Sequence, residues 1–161
     1  MICRFQNRVQ AGRLLAGRLD GYAGLEGLIV LGLPRGGVPV AFEVAAGLSA
    51  PLDVFMTRKL GLPGHEELAL GAVSSGGVCF LNHSLIQSCL VPRPVLDLII
   101  ARERQELEKR EQAFRRGAPP ALRDRAIILV DDGLATGASM RAAVLAARQQ
   151  HPASIVVAVP V

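Results

Sequence analysis

Apolar residues fall along this chain in short blocks, and the blocks alternate between two periods. Residues 28–32 (LIVLG), 52–57 (LDVFMT), 126–130 (AIILV) and 154–159 (SIVVAV) are brief apolar runs bounded by turn residues, the mark of buried strands. Helical patterns lie between them, at residues 38–48 (Pro39 is tolerated in the first turn), 94–114 and 138–150. The N-terminal stretch reads as an amphipathic helix with Phe5, Val9, Leu14, Leu15 and Leu19 inward. Residues 68–74 and 78–81 read as a hairpin turned at Ser75-Gly76-Gly77. Residues 58–67 (RKLGLPGHEE) are polar and punctuated by Gly and Pro, which predicts a loop.

Strands alternating with helices imply right-handed crossovers and a mainly parallel sheet flanked by helices. The expected fold is therefore α/β, with a small β-hairpin beside a flexible loop. Ligands of such sheets bind at the carboxyl ends of the strands, so the turns after Gly32, Thr57 and Val130 should share one edge. On the long helix, Leu96, Ile100, Leu107 and Phe114 fall near one face. Arg102 with Glu106, Arg104 with Glu108, Glu106 with Arg110, and Glu111 with Arg115 have the spacing of a solvated, salt-bridged face. Gly117-Ala118-Pro119-Pro120 stops that helix.

Composition narrows the function classes. The chain has 161 residues without repeat or linker, which suits a single domain over 1–161 able to bury about 68–70% of its unfolded surface. No apolar run approaches the roughly 20 residues that span a bilayer, and the N-terminus lacks the apolar stretch of a signal peptide. Cys3, Cys79 and Cys89 form no CxxC pair and read as reduced, packing cysteines of a cytoplasmic protein. The net charge of +4 suits an anionic ligand. Nucleic acid is not the expected partner: the densest basic stretch, residues 102–116, is interleaved with glutamates, and there is one Tyr and no Trp for stacking. His65, His83 and His151 are isolated, which argues against zinc, and no GxxxxGK[ST], GxGxxG or GxSxG motif is present.

The strongest chemical signal is residues 127–140 (IILVDDGLATGASM). A buried strand delivers Asp131 and Asp132 to the sheet edge, and a loop of small residues then opens a helix. Unpaired N–H groups at a helix start attract phosphate; Thr136 and Ser139 add hydroxyl donors, and Gly137 lets backbone approach closely. Carboxylates beside a phosphate site need other partners, and ribose hydroxyls or a hydrated Mg²⁺ suit them. The competing reading is an ordinary strand end with a chance acid pair and a plain helix cap.

This segment resembles the phosphoribosyl-diphosphate signature of type I phosphoribosyltransferases. The resemblance implies that Asp131 and Asp132 contact the ribose hydroxyls, with Mg²⁺ bound indirectly through water or substrate. It implies that Ala135, Thr136, Gly137, Ala138 and Ser139 cradle the 5-phosphate. Leu33-Pro34-Arg35-Gly36-Gly37 is similar to the family's pyrophosphate loop. Arg58-Lys59, with His65 and Glu66, is similar to its flexible catalytic loop, which makes Arg58 and Lys59 the cations for the diphosphate and His65 a proton donor to it. The likeness is greatest to predicted phosphoribosyltransferases of unassigned substrate and includes Phe5…Arg8…Ala11-Gly12 and the charged helix of residues 101–116. The implied activity is transfer of 5-phosphoribosyl from phosphoribosyl diphosphate to a small nitrogenous base, releasing pyrophosphate; a homodimer is an open expectation.

Two departures qualify the likeness. Ala135 stands where 6-oxopurine enzymes of the family carry an acid, a version similar to the adenine and uracil enzymes that leaves the base unidentified. The chain also ends directly after a predicted core strand, so it is expected to lack the C-terminal portion and part of the acceptor hood. That favours a second reading, a non-catalytic regulator binding phosphoribosyl diphosphate or a nucleotide. A third, a nucleic-acid-binding fragment, predicts strongly salt-dependent affinity.

Overall fold

A computed structural model of the chain describes residues 5–161. Four parallel strands form the central sheet in the order β2-β1-β6-β7: β1 is Ile29–Gly32, β2 Leu52–Val54, β6 Ala126–Val130 and β7 Ser154–Ala158. Successive residues of a strand point to opposite faces, and two cores result. Val30, Ile128 and Val130 pack with Val40, Ala41, Val44 and Leu48 of α2 (Gly37–Leu48). Ile29, Leu31, Ile127 and Leu129 pack with Met140, Ala143, Ala146 and Ala147 of α5 (Ala138–Arg148). Both faces of β1 and β6 are covered, which is why these strands carry no polar residue.

The N-terminal helix α1 (Arg8–Arg18) is capped by Asn7, whose side chain accepts from the Gln10 amide at 2.9 Å. Its inward face differs from the expected one. Ala11, Gly12, Ala16 and then Leu19 are buried, while Val9 is 39% and Leu14 54% exposed. The reason is steric. A Cβ on Gly12 would meet Glu43 Cβ at 2.7 Å, and one on Gly47 would meet Ala16 Cβ at 2.8 Å, so α1 and α2 approach too closely for large side chains. Periodicity weighted toward large apolar residues cannot find such a seam.

The apolar run at residues 52–57 is two elements rather than one strand. After β2, Phe55 joins the α5-side core and Met56 joins a third core, so the chain changes sheets within two residues. The second sheet is antiparallel, β3-β4-β5, with β3 Thr57–Leu62, β4 His65–Ser74 and β5 Cys79–Leu81. The segment expected as a flexible loop, residues 58–67, is thus the β3–β4 hairpin, turned at Pro63-Gly64. It is held because Leu60 and Leu70 are wholly buried against Leu96 and Leu107 of α4 (Arg93–Glu111). The β4–β5 turn at Ser75-Gly76-Gly77 is as expected, and α3 (His83–Ser88) follows it.

The charges of α4 do more than solvate a face. Among the described residues, Glu111 with Arg115 is the one expected i,i+4 pair that forms. Glu103 instead takes Arg58 at 2.6 Å. Arg115, 10% exposed, stands between Asp53 of β2 and Glu111 of α4, at 2.5 Å from each, and the Ser75 hydroxyl donates to Glu111. Phe114, past the end of α4, is 42% exposed rather than inward. Cys79 and Cys89 are free, burial pushes the Cys79 thiol up, and Cys3 lies outside the described residues. No described helix is long and apolar enough to cross a membrane.

Candidate functional site

Parallel pairing of β1 with β6 sends their following loops out at the same sheet edge. The Leu33 amide donates to the Val130 carbonyl at 2.9 Å, which joins the two loops at their roots. From there residues 33–36 lead into α2, and residues 131–137 lead into α5. The peptide between Pro34 and Arg35 is cis. A Cβ on Gly37 would lie 2.6 Å from the Val130 carbonyl oxygen and 2.9 Å from Asp131 Cα. Gly36 lies against the Asp132 carboxylate in the same way. Two segments nearly a hundred residues apart in sequence therefore meet closely, backbone to backbone at Gly37 and backbone to the Asp132 side chain at Gly36, where a side chain would intrude.

Asp131 and Asp132 stand half-buried at the end of β6. Asp131 Oδ1 accepts from the Asp132 amide at 2.8 Å. Burial raises the Asp131 pKa above the usual carboxylate value; that hydrogen bond pulls it back, and the neighbouring Asp132 charge adds to the rise. Asp132 Oδ2 accepts from Arg8 Nε and Nη2 at 2.9 and 2.7 Å. Among the described residues, Asp131 Oδ2 and Asp132 Oδ1 have no hydrogen-bond donor, so each acid keeps one oxygen for a ligand.

In the loop beyond, Gly137 takes φ 73°, the left-handed region that suits glycine, and turns the chain into α5. Thr136 Oγ1 accepts from the Ala138 amide at 3.4 Å. The amides of Ala135, Thr136 and Gly137 donate to no group among the described residues, and Ala135, Thr136, Ala138 and Ser139 are exposed. An exposed run of unpaired N–H groups at a helix start is an anion cradle.

The remaining expected residues divide. Arg35 is exposed in the loop beside Gly36 and has no ion pair among the described residues. Lys59 lines a cavity of about 680 Å³ between the second sheet and α5, together with Ala138, Ser139, Phe80, Asn82 and Arg141. No carboxylate lines that cavity. Arg58, one position earlier, points to the opposite face of β3 and is held by Glu103. His65 opens β4 at the hairpin end, exposed, with Nδ1 3.4 Å from Glu67 Oε1, and does not line the cavity. Lys59 thus shares a cavity with Ala138 and Ser139 of the first turn of α5; Arg58 and His65 do not. Sequence reasoning missed Arg8 as a site residue. Helical periodicity cannot signal an arginine at a helix start, and its one hint was its place in the Phe5…Arg8…Ala11-Gly12 pattern.

No group of three or more potential metal-ligating side chains occurs among the described residues. The acid pair suits Mg²⁺ of a particular kind: two carboxylates with open oxygens fit a hydrated ion that completes its shell with water and substrate oxygens. They would not fit a fully protein-liganded ion.

Fold and site together define an α/β protein with an exposed run of unpaired amides beside two half-buried carboxylates at one sheet edge. The chain belongs to the phosphoribosyl transferase domain family, whose model matches residues 1–161. It is 46% identical over 158 residues to a Mycobacterium tuberculosis protein named "Putative phosphoribosyl transferase". That match takes in 98% of this chain but 35% of the relative, so the chain spans about a third of the length of the curated relatives it matches. The crystal structure of TT1426 from Thermus thermophilus superposes with a TM-score of 0.83 at 48% identity, over 97% of this chain and 74% of that one. A purine phosphoribosyltransferase from Pyrococcus horikoshii shares the fold, with a TM-score of 0.53 at 16% identity over 94% of this chain and 70% of that one.

Proposed function

We propose that the chain transfers a 5-phosphoribosyl group from phosphoribosyl diphosphate to a small nitrogenous base, with release of pyrophosphate. The observation that carries this reading is the junction of three elements at one sheet edge: unpaired amides at 135–137, an acid pair with open oxygens, and the Arg35-Gly36-Gly37 loop in contact with that pair. The amides and the Thr136 and Ser139 hydroxyls hold the 5-phosphate. Asp131 and Asp132 accept from the ribose hydroxyls and orient the ring. Arg35 and Lys59 take the diphosphate, and Lys59 neutralises charge on it as the bond to the anomeric carbon breaks. Mg²⁺ held through water near Asp131 and Asp132 supplies further charge neutralisation when bound. Arg58 and His65 join the diphosphate only on release from Glu103 and Glu67.

That last requirement favours a second reading, in which the chain binds phosphoribosyl diphosphate or a nucleotide and regulates without turnover. Titration with phosphoribosyl diphosphate, with and without Mg²⁺, followed by a pyrophosphate-release assay across a panel of bases, separates the two. Binding with release for one base supports the transferase. Binding without release for any base supports the regulator, and no binding removes both.

A further inference from the structure

We propose that Arg8 is a positioning residue of the ribosyl-diphosphate site, holding Asp132 in its ligand-accepting orientation and cancelling one of the two adjacent negative charges. This inference rests on the ribosyl-diphosphate reading above. Both Nε and Nη2 of Arg8 donate to Asp132 Oδ2, at 2.9 and 2.7 Å. Gly36 lies against the same carboxylate, closest to Oδ2, and Oδ1 accepts from no donor among the described residues. Asp132 is thus clamped between α1 and the loop that leads into α2.

The clamp has a firm base. Arg8 is the first residue of α1, and α1 is seated on α2 by the Gly12 and Gly47 seams and by an ion pair of Arg13 with Glu43 at 2.9 Å. The same α2 begins at Gly37, immediately after the Arg35-Gly36 turn. Helix α1 therefore carries Arg8 on an element packed against α2, and the guanidinium ties that pair of helices to Asp132.

The electrostatics give the clamp a purpose. Adjacent carboxylates next to a run of unpaired amides repel a diphosphate ligand. A guanidinium on Asp132 offsets one charge without occupying the open oxygen. Arginine suits this better than lysine because two N–H groups on one edge converge on Oδ2 and pin that oxygen, whereas an ammonium acts as a point charge. A purely structural role explains less. The Arg8 side chain is 59% exposed, where an ion pair contributes little to folding, and the close α1–α2 packing at Gly12 and Gly47 seats α1 without it.

The test is calorimetric titration of phosphoribosyl diphosphate into the wild-type chain and into Arg8→Gln, Arg8→Lys, Arg13→Ala and Asp132→Asn, with and without Mg²⁺. Arg8→Gln should weaken binding about fivefold, with the larger loss in Mg²⁺-free buffer where no metal offsets the carboxylates. Arg8→Lys should recover part of the loss, and Arg13→Ala should bind as wild type. Combining Arg8→Gln with Asp132→Asn should cost less than the sum of the two, because both act on one contact. Wild-type binding left unchanged by Arg8→Gln, or lost equally in Arg13→Ala, overturns the role of Arg8 alone. If Arg8→Gln does not fold, the same readout passes to Arg8→Lys, and a folded Arg8→Lys without a Mg²⁺-dependent loss overturns it too. A wild-type chain that does not bind at all overturns the ribosyl-diphosphate reading and this inference with it.

Discussion

Gly36 and Asp132 lie so close that a Cβ on Gly36 would fall 2.5 Å from Asp132 Cγ. The loop after β1 therefore packs against the loop after β6, and glycine at 36 leaves the room that the Asp132 side chain occupies. Gly36→Ala should push the Asp132 side chain away and break its bond with Arg8, while the backbone stays in place. The expected result is a folded chain with sharply weakened phosphoribosyl diphosphate binding. Gly37→Ala should differ, because its Cβ would strike the Val130 carbonyl and Asp131 Cα, which cannot rotate aside. A stability loss of about 1–3 kcal/mol in urea denaturation is expected there. Equal stability of the two variants would show that the contact has been misjudged.

Asp131 should trade stability for function. Its folded pKa is raised by burial above the ordinary 3.8, with the Asp132 charge contributing. A carboxylic acid with a raised folded pKa stabilises the fold fully below its unfolded pKa, and that stability is lost as pH rises through the folded value. At neutral pH the ionised Asp131 is therefore a cost to folding. Asp131→Asn keeps an oxygen to accept from the Asp132 amide and removes the charge. It should raise the melting temperature at pH 7, gain nothing at a pH below the unfolded pKa, and weaken ligand binding. A melting temperature that falls at pH 7 contradicts the sign.

Lys59 and Arg58 are neighbours with opposite assignments. Lys59→Ala should slow turnover on the order of 10- to 100-fold while leaving ribose 5-phosphate binding nearly intact, because only the diphosphate reaches it. Arg58→Ala should act first on stability, since it frees Glu103 and loosens the hairpin from α4. Thermal melts and steady-state kinetics on both variants check this. Arg58→Ala slowing turnover more than Lys59→Ala would reverse the assignment.

Arg115 should matter to the fold, because it joins β2 to α4 through two half-buried acids. Its guanidinium bridges Asp53 and Glu111 in a largely buried cluster with Ser75. Arg115→Ala leaves two carboxylates buried without their partner and should cost about 3 kcal/mol in urea denaturation. A loss below about 1 kcal/mol would mean that the cluster behaves as a surface pair.

Strands β1, β6 and β7, helices α2 and α5, and the strand–acid–loop–helix segment were legible because each is a local pattern. Residues 126–130 are apolar at every position since both faces are covered, and the acid pair interrupts that run where the sheet ends. The hairpin at residues 57–74 was not legible as strands before residue 68. Gly61, Pro63 and Gly64 mimic a loop, and what holds the hairpin is Leu60 and Leu70 against α4, a long-range contact. The α1 seam was hidden for a related reason: it is made of Ala and Gly, whose burial reflects a neighbour's closeness rather than their own hydrophobicity.

The order of residues alone determined that this chain would form a parallel α/β sheet and carry a turn of small residues opening a helix beside two carboxylates. Those properties follow from backbone hydrogen bonding and from side-chain periods of two and 3.6 residues. Tertiary structure alone decided where the cations near that turn are placed. Arg8 reached Asp132 across 124 positions, Lys59 faced α5, and Arg58 was turned to Glu103. A charged side chain on a long flexible stem has no local rule for its partner; only packing, by fixing which backbone faces which, selects it.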